Sequence, residues 1–467
     1  MQVWEILLVS VGMVVLVVRR LGEGVIQPQS FAHWWRASYG AGLGASIDPA
    51  AGLYAPDPPL FEAINRLLFL LPIERLGLPE MGQMQLLMLV GGGLTLLWCW
   101  GRGNIWSAGL WGFSPWVTTW IAEPNGELLS GFLLLLGSVT ALPGRFIWLG
   151  LACGMSARSW PLALLLAGLW TSQTWPRLRF LGLYVVLGSI VLVIFWQGTP
   201  PWLGIPRWEA ASLPFWISLI TVLAPLLLPF GLTLVRLVWP WTQRHHALVA
   251  LATVTYMVIP IIGLGIQQPQ DLWIQNIPQW GLVALPLICY VAGGVLEDLP
   301  VGWRRGLGNL LLVSSLALSF QTLEYMPKQA VIFSPSQAAA AWLQSHREQI
   351  STPIIVESAA IAFKSEFAPE ELLSAAAAKK LYGTLLPDFM KWVVIDQTEP
   401  LAWNRSPLMQ EYPNFFTTDY LNDWQLMFSN QQLLPPAQDY ELQIPYTSTV
   451  TSASKLPIVR IWRRVEL

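Results

Sequence analysis

Apolar segments separated by short polar breaks fill the first 325 residues of the chain. A predominantly apolar run of ~20 residues has the length and composition of a helix that crosses a bilayer. Several of these segments are shorter, which a helical bundle tolerates because longer neighbours shield them. The pattern predicts about 11 spans, at residues 3–18, 82–100, 105–122, 128–142, 145–157, 159–172, 178–197, 213–238, 246–266, 277–296 and 307–325.

The segment between the first two spans, residues 19–81, is a long loop with amphipathic character. Phe31, Trp34, Trp35 and Tyr39 recur near helical spacing, and the stretch Leu60–Leu71 is apolar. Both patterns predict helices that lie on or in the membrane–water interface.

From residue 328 onward the pattern becomes that of a small soluble α/β domain. Ser334-Pro335-Ser336-Gln337 is typical of a helix start and predicts a helix to about Gln349. The Ala- and Leu-rich stretch from Pro369 to Tyr382 predicts a second helix. Runs rich in β-branched and aromatic residues predict strands at 353–357, 391–396, 424–429 and 457–464. The chain therefore divides into a membrane domain, residues 1–327, and an α/β domain, residues 328–467.

The distribution of charge supports this division. A charge at the centre of a bilayer costs at least ~2.5–3.5 kcal/mol, and every lysine lies after residue 327, at Lys328, Lys364, Lys379, Lys380, Lys391 and Lys455. Charged residues make up only 12% of the chain, whereas a soluble domain carries about 25%. The net charge of -2 gives no indication of a nucleic-acid partner. All three cysteines lie in apolar runs, which is typical of small buried side chains and not of a metal site.

The arginines orient the spans. If the N-terminus is cytoplasmic, eight arginines occupy the inner short loops: Arg102, Arg145, Arg177, Arg179, Arg236, Arg244, Arg304 and Arg305. The outer short loops then hold only Arg158 and Arg207, as the positive-inside rule favours. Loop 19–81 and the α/β domain are then extracytoplasmic. Arg19 and Arg20 run against the rule, so either the rule fails locally or these two arginines have a task on the outer side.

Two features of the N-terminal region refine the localisation. The first apolar run follows no basic segment and precedes no small-residue cleavage site, so we expect it to be a retained span. The preference for arginine over lysine, with short loops, favours an integral protein of the bacterial inner membrane.

Two clusters of acids on the outer side are candidates for chemistry. Three prolines fix the backbone around Asp57 in the segment 53–60, and a rigid segment can hold a general base. The same prolines also suit a chain that simply turns back into the membrane. The hairpin 120–127 carries Glu123 and Glu127, although a hairpin needs only its Pro, Asn and Gly. An acid in such a loop is most often only a solvated carboxylate.

The chain resembles the polytopic GT-C glycosyltransferases of the dolichyl-phosphate-mannose and aminoarabinose transferase kind. Four features carry the resemblance. The first span is followed by a long outer loop, with Asp57-Pro58-Pro59-Leu60 near its end, and Ser114-Pro115 leads through the acidic hairpin to Leu128–Leu136. A glycine-containing break from Gly150 to Arg158 separates two spans, and a strand around Val459–Arg464 ends the chain's outer domain. The resemblance implies a GT-C-like α-helical membrane bundle followed by a small outer α/β domain.

The resemblance also implies an inverting transfer of a sugar from a polyprenyl-phosphate carrier to a glycan, lipid or protein acceptor. A carboxylate would deprotonate or orient the acceptor hydroxyl, with the candidates Asp57, Asp48, Glu123 and Glu23. Basic and polar groups would bind the donor phosphate, with the candidates Arg158, Arg19, Arg20, Arg36, His33 and Glu127. Loop 19–81, the hairpin and Arg158 are expected to form one cavity open to the bilayer. The sequence shows no metal-ligand spacing that would indicate a divalent cation, and it leaves open whether the reaction needs a metal.

The family usually places an aspartate soon after the first span, where this chain has Ser30 and no acid from Pro28 to Trp35. Glu23, Asp48 or Asp57 can substitute for that residue. A second hypothesis is therefore a catalytically inactive relative that acts as a lipid-binding or assembly subunit. A transporter is a third, but acids are sparse within the spans and no inverted repeat is evident. We expect the α/β domain to cap the membrane site or bind the acceptor.

Overall fold

The computed structural model describes residues 3–22, 28–43, 47–51, 57–71, 82–101, 104–140, 144–174, 227, 229–237, 244–263, 270–325, 334–396, 406–417, 421–430 and 459–465. These residues divide into two compact units. The described residues within 3–22 and 85–325 form a helical unit, and those within 28–84, 334–430 and 459–465 form an α/β unit. Most of loop 19–81 thus belongs to the same unit as the C-terminal strands.

The helical unit is built from the helices Val3–Gly22, Gly82–Gly101 (from residue 85), Ile105–Gly112, Pro115–Trp120, Glu127–Val139, Gly144–Met155, Trp160–Thr174, Arg244–Gly263, Gln270–Asp298 and Val301–Tyr325. Among the described residues, two stretches are long and apolar enough to cross a bilayer: Gln279–Asp298 and Val301–Glu324. The remaining apolar helices that qualify by composition are shorter, so the number of spans stays a prediction.

Aliphatic side chains cover the outside of two of these helices. In Val3–Gly22 the residues Leu7, Val14 and Val18 are each at least 60% exposed, and Leu310 of Val301–Tyr325 is 62% exposed. A broad exposed apolar face of this kind is typical of a surface that meets lipid.

The predicted spans match helices wherever they fall on described residues, with one exception. The segment 105–122 is not a single helix, because the chain breaks after Gly112 and restarts at Pro115. Proline has no N–H for the helix ladder and its ring clashes with the preceding turn, so the Ser114-Pro115 step starts a new helix. The predicted span 178–197, and most of 213–238, lie outside the described residues.

The described residues of the α/β unit contain the strands β1 Ile354–Glu357, β2 Leu372–Leu373, β3 Trp392–Asp396, β4 Trp424–Ser429 and β5 Val459–Arg464. These strands form one sheet in the order β2-β1-β3-β5-β4. β2, β1 and β3 are parallel, with Ile355 opposite Leu373 and Val393, and β5 runs antiparallel between β3 and β4.

Helices cover both faces of this sheet, because its strands alternate apolar residues toward two separate cores. The helices Ser334–Ser345 and Ala359–Lys364 lie on one face, and Ala375–Tyr382, Pro407–Glu411 and Asn414–Thr417 lie on the other. The first face also receives the helix Pro28–Leu43 of the loop, which we call the loop helix.

Two sequence predictions for this unit need correction. The stretch Pro369–Tyr382 is not one helix, because Leu372 and Leu373 pair with β1 and the helix begins only after Ser374. Sheet pairing here overrides the helix propensity of alanine and leucine. The loop helix forms as predicted, but Phe31 and Trp35 are fully buried against the sheet and not in a lipid interface.

Glu357, the last residue of β1, is buried and links three elements. Its carboxylate accepts a hydrogen bond of 2.8 Å from the backbone N–H of Ala375 and another from the hydroxyl of Ser406. Burial raises the pKa of Glu357 to about 7, although both hydrogen bonds favour the ionised form.

The raised pKa predicts a pH-dependent stability for the α/β unit. Since the folded-state pKa exceeds the unfolded-state pKa, Glu357 contributes most below about pH 4.3 and this contribution is lost as pH rises through 7. Relative to Glu357→Gln, the wild type should lose on the order of 2–3 kcal/mol of unfolding free energy across that window. Thermal unfolding of both purified full-length proteins from pH 4.5 to 8 measures the difference, and parallel curves would contradict it.

Candidate active site

The loop helix presents two different faces. Phe31 and Trp35 are four residues apart and pack into the core, where the Phe31 ring lies 5.2 Å from that of Phe363. His33 and Arg36 are three residues apart and therefore share another face. Packing of the aromatic face fixes the rotation of the helix and directs His33 and Arg36 toward the rest of the loop.

His33, Arg36, Asp48 and Asp57 form one connected group, which we call the loop cluster. Arg36 donates from Nε to Asp48 Oδ1 at 3.0 Å and from Nη1 to Asp57 Oδ1 at 3.0 Å. His33 Nδ1 lies 2.7 Å from the same Asp57 oxygen. All four residues were candidates from the sequence, and the structure brings them together.

Local chain chemistry holds each carboxylate. Pro58 is extended and Pro59 opens the helix Pro59–Leu70, so the backbone on the C-terminal side of Asp57 has little freedom. Asp48 lies in a turn, where it accepts from the N–H of Ala50 through Oδ1 at 2.9 Å and from the N–H of Ala51 through its carbonyl at 3.2 Å. This is the turn that aspartate stabilises with its own side chain.

Burial and charge act in opposite directions on the cluster. Burial alone would raise the pKa of Asp57, but His33 and Arg36 outweigh it and hold that pKa below its ordinary value. Burial would likewise lower the pKa of Arg36, but Asp57 and Asp48 raise it above its ordinary value. The guanidinium and the Asp57 carboxylate therefore stay ionised at neutral pH.

The carboxylates of Asp57 and Asp48 differ in solvent exposure. The side chains of Arg36 and Asp57 are each 3% exposed and that of His33 is 6% exposed, whereas Asp48 is 31% exposed. Within the loop cluster, Asp48 is therefore the acid that a molecule arriving from outside can reach.

The acidic hairpin belongs to the helical unit, and its two acids are paired with arginines of that unit. Arg20 donates to the Glu123 carboxylate and, from Nε, to the carbonyl of Thr119 at 2.9 Å. Both side chains are 0% exposed. Asn125 closes the hairpin by donating to the Glu123 carbonyl and accepting from the N–H of Leu128.

The second pair is less enclosed. Arg158 donates to the Glu127 carboxylate, and their side chains are 25% and 10% exposed. Ser156 lies beside the same carboxylate, at 3.4 Å, and Tyr256 donates to the backbone carbonyl of Arg158 at 3.0 Å. Sequence reasoning missed Tyr256, because a tyrosine inside an apolar run has the pattern of an ordinary span residue.

The other candidates have separate positions. Arg19 is exposed on the helix Val3–Gly22. Glu23 lies outside the described residues, and Ser30, at the position of the family's aspartate, is buried. The expected single cavity of loop, hairpin and Arg158 joins residues of both units and stays a prediction. Among the described residues, no group of three or more His, Cys, Asp or Glu side chains is placed to hold a metal ion.

Comparison with known proteins gives a likeness of fold. No protein-family model and no curated protein sequence matches the chain. The crystal structure of apo ArnT from Cupriavidus metallidurans matches with a TM-score of 0.50 and 14% identity, over 98% of this chain and 97% of that one. The structure of ArnT from Cupriavidus metallidurans bound to undecaprenyl phosphate has a TM-score of 0.48 and 13% identity, over 98% of each chain. The likeness to the apo structure shows that the chain shares the fold of that ArnT, as the resemblance to aminoarabinose transferases predicted.

Because the Arg20–Glu123 pair is enclosed, we expect a substitution at Arg20 to lower stability much more than one at the exposed Arg19. Arg20→Met leaves the buried Glu123 carboxylate without its guanidinium and should cost about 3–5 kcal/mol, whereas Arg19→Met should change stability by less than about 0.5 kcal/mol. The double variant Arg20→Met/Glu123→Leu should recover most of the loss, because it removes both charges. Thermal unfolding midpoints in detergent micelles measure all three variants. Equal midpoints for the Arg19 and Arg20 variants would contradict the structural role.

Proposed function

We propose that this protein is a membrane glycosyltransferase that moves a sugar from a polyprenyl-phosphate carrier to an acceptor at the outer membrane face. The loop cluster carries the proposal: an ionised, enclosed Arg36–Asp57 pair holds the reachable carboxylate of Asp48 in a chain with the ArnT fold. The donor is a lipid-linked sugar, and the acceptor is a glycan, lipid or protein.

In the proposed reaction Asp48 contacts the acceptor. Its carboxylate accepts the proton of the acceptor hydroxyl while that oxygen attacks the anomeric carbon, and the bond from this carbon to the phosphate oxygen breaks. The polyprenyl phosphate leaves with the electron pair, and the configuration inverts. Asp57 has a lowered pKa and is enclosed, so its task is to position Arg36, with His33 beside it.

Arg158 is the proposed group for the departing phosphate. A guanidinium can pair two phosphate oxygens, and the 25% exposure of this side chain leaves part of it accessible. Glu127 and the hydrogen bond from Tyr256 to the Arg158 backbone position it. Arg20 and Glu123 hold the hairpin in shape, whereas Arg19 and Glu23 keep their predicted roles in phosphate binding and base chemistry.

The proposed localisation is the bacterial inner membrane, with a cytoplasmic N-terminus and residues 328–467 as an extracytoplasmic domain. The positive-inside count supports this orientation. In the proposal the loop cluster and the carrier phosphate both lie on the outer side.

A catalytically inactive lipid-binding or assembly subunit is the second candidate. It is favoured by Ser30 at the position of the family's aspartate and by the neutralisation of Arg36 by two acids. A transporter is less favoured, and substrate-driven flux in proteoliposomes would support it.

Sugar transfer by the purified protein in lipid nanodiscs tests the proposal. The donors are radiolabelled polyprenyl-phosphate pentoses, hexoses and aminopentoses, and the acceptors are lipid and glycan fractions of the cell envelope. Asp48→Asn should lower the rate by about 10²–10⁴-fold because it removes the base. The matched control Asp388→Asn changes a fully exposed carboxylate of the α/β unit and should leave the rate within about twofold.

Each result separates the candidates. Transfer that survives Asp48→Asn at the wild-type rate would remove Asp48 as the base. Absence of transfer from every donor by the wild type, while it still binds a polyprenyl phosphate, would overturn the enzyme in favour of the inactive relative.

A further inference from the structure

Ser374 joins the α/β domain to the turn that carries Asp48. Its backbone N–H donates to the carbonyl of Pro49 at 3.0 Å, and its hydroxyl donates to the carbonyl of Ala51 at 3.0 Å. The two partners of the hydroxyl bond are 323 residues apart in the chain. One serine therefore holds the carbonyl groups on both sides of Ala50.

The turn is also packed into the domain. Ala50 is fully buried in the core on the loop-helix face of the sheet, and Ile47 packs against the core on the opposite face. Pro49 is buried as well. A buried carbonyl that loses its donor carries a desolvation cost, so the bond from the Ser374 N–H to the buried Pro49 is needed there, and the bond from the hydroxyl holds the half-buried Ala51 beside it.

Ser374 is itself held from three directions. It follows β2 directly, and its hydroxyl accepts from the N–H of Ala377 at 3.2 Å as the N-cap of the helix Ala375–Tyr382. The next residue, Ala375, donates to the Glu357 carboxylate at the end of β1. The sheet edge, the helix cap and Glu357 together make Ser374 a rigid point of attachment.

We infer that the α/β domain positions the candidate active site through Ser374, which holds the Asp48 turn and thereby the guanidinium of Arg36. Arg36 forms ion pairs with both Asp48 and Asp57. A shift of the Asp48 turn therefore moves the guanidinium or breaks one of these two ion pairs. Ser374 is thus a positioning residue. Its effect on transfer rests on the proposed function, whereas its hold on the turn does not.

Two substitutions of Ser374 distinguish its hydrogen bond to the Asp48 turn from its role as a helix N-cap. Ser374→Asp keeps an oxygen that caps Ala377 but has no hydrogen to donate to Ala51, whereas Ser374→Thr keeps both functions. Hydrogen exchange of full-length protein in nanodiscs, followed by mass spectrometry, reports on the amides of Ala50 and Ala51. We expect about five- to tenfold faster exchange there in Ser374→Asp, unchanged exchange in Ser374→Thr, and unchanged exchange in 375–382 for both.

Transfer kinetics give the second measurement. Ser374→Asp should lower kcat by about 10- to 100-fold with the KM for the donor within about twofold, and Ser374→Thr should restore kcat. Unchanged exchange at Ala50 and Ala51 in Ser374→Asp would overturn the hold on the turn. Faster exchange with wild-type kcat would overturn the positioning role. If the wild type transfers no sugar, the proposed function fails, and the exchange result decides by itself whether Ser374 holds the turn.

Discussion

A charge that leaves water must meet an opposite charge or several hydrogen-bond partners, and this requirement shapes both units of the protein. Desolvating an ion costs several kcal/mol even in a relaxed protein interior. In the helical unit the ion pair between Arg20 and Glu123 offsets this cost. In the loop cluster the ion pairs of Arg36 with Asp48 and Asp57 offset it. The Arg20–Glu123 pair joins residues 103 positions apart, and the pairs of Arg36 span 12 and 21 positions. Each pair therefore fixes a geometry beyond its own helix or turn.

The loop cluster combines enclosure with access. Arg36 and Asp57 are buried and ionised, while Asp48 keeps a third of its side chain exposed. A chemical site needs both properties, because enclosed charges hold their geometry and an exposed acid can reach a substrate. The α/β domain supplies the support, since its sheet buries the aromatic face of the loop helix and its Ser374 binds the Asp48 turn.

Long hydrophobic segments were predicted well, because burial in lipid or in a helical bundle leaves a signal in every residue of the segment. Val3–Gly22 and Glu127–Val139 follow their apolar runs closely. The failures were local conflicts: Ser114-Pro115 breaks a run that composition makes continuous, and Leu372–Leu373 joins a sheet although its neighbours favour helix. The loop aromatics were assigned to an interface because amphipathicity does not say whether lipid or protein covers the apolar face.

The sequence by itself determined the apolar segments, the change to a soluble composition after residue 327 and a short set of acids and arginines from which a site could be built. Only the tertiary structure decided which of them meet. Arg20 pairs with Glu123 across 103 positions, and Arg158 pairs with Glu127 across 31. Local periodicity carries no information about such partners, because the folding of distant segments and the cost of an unpaired buried charge select them.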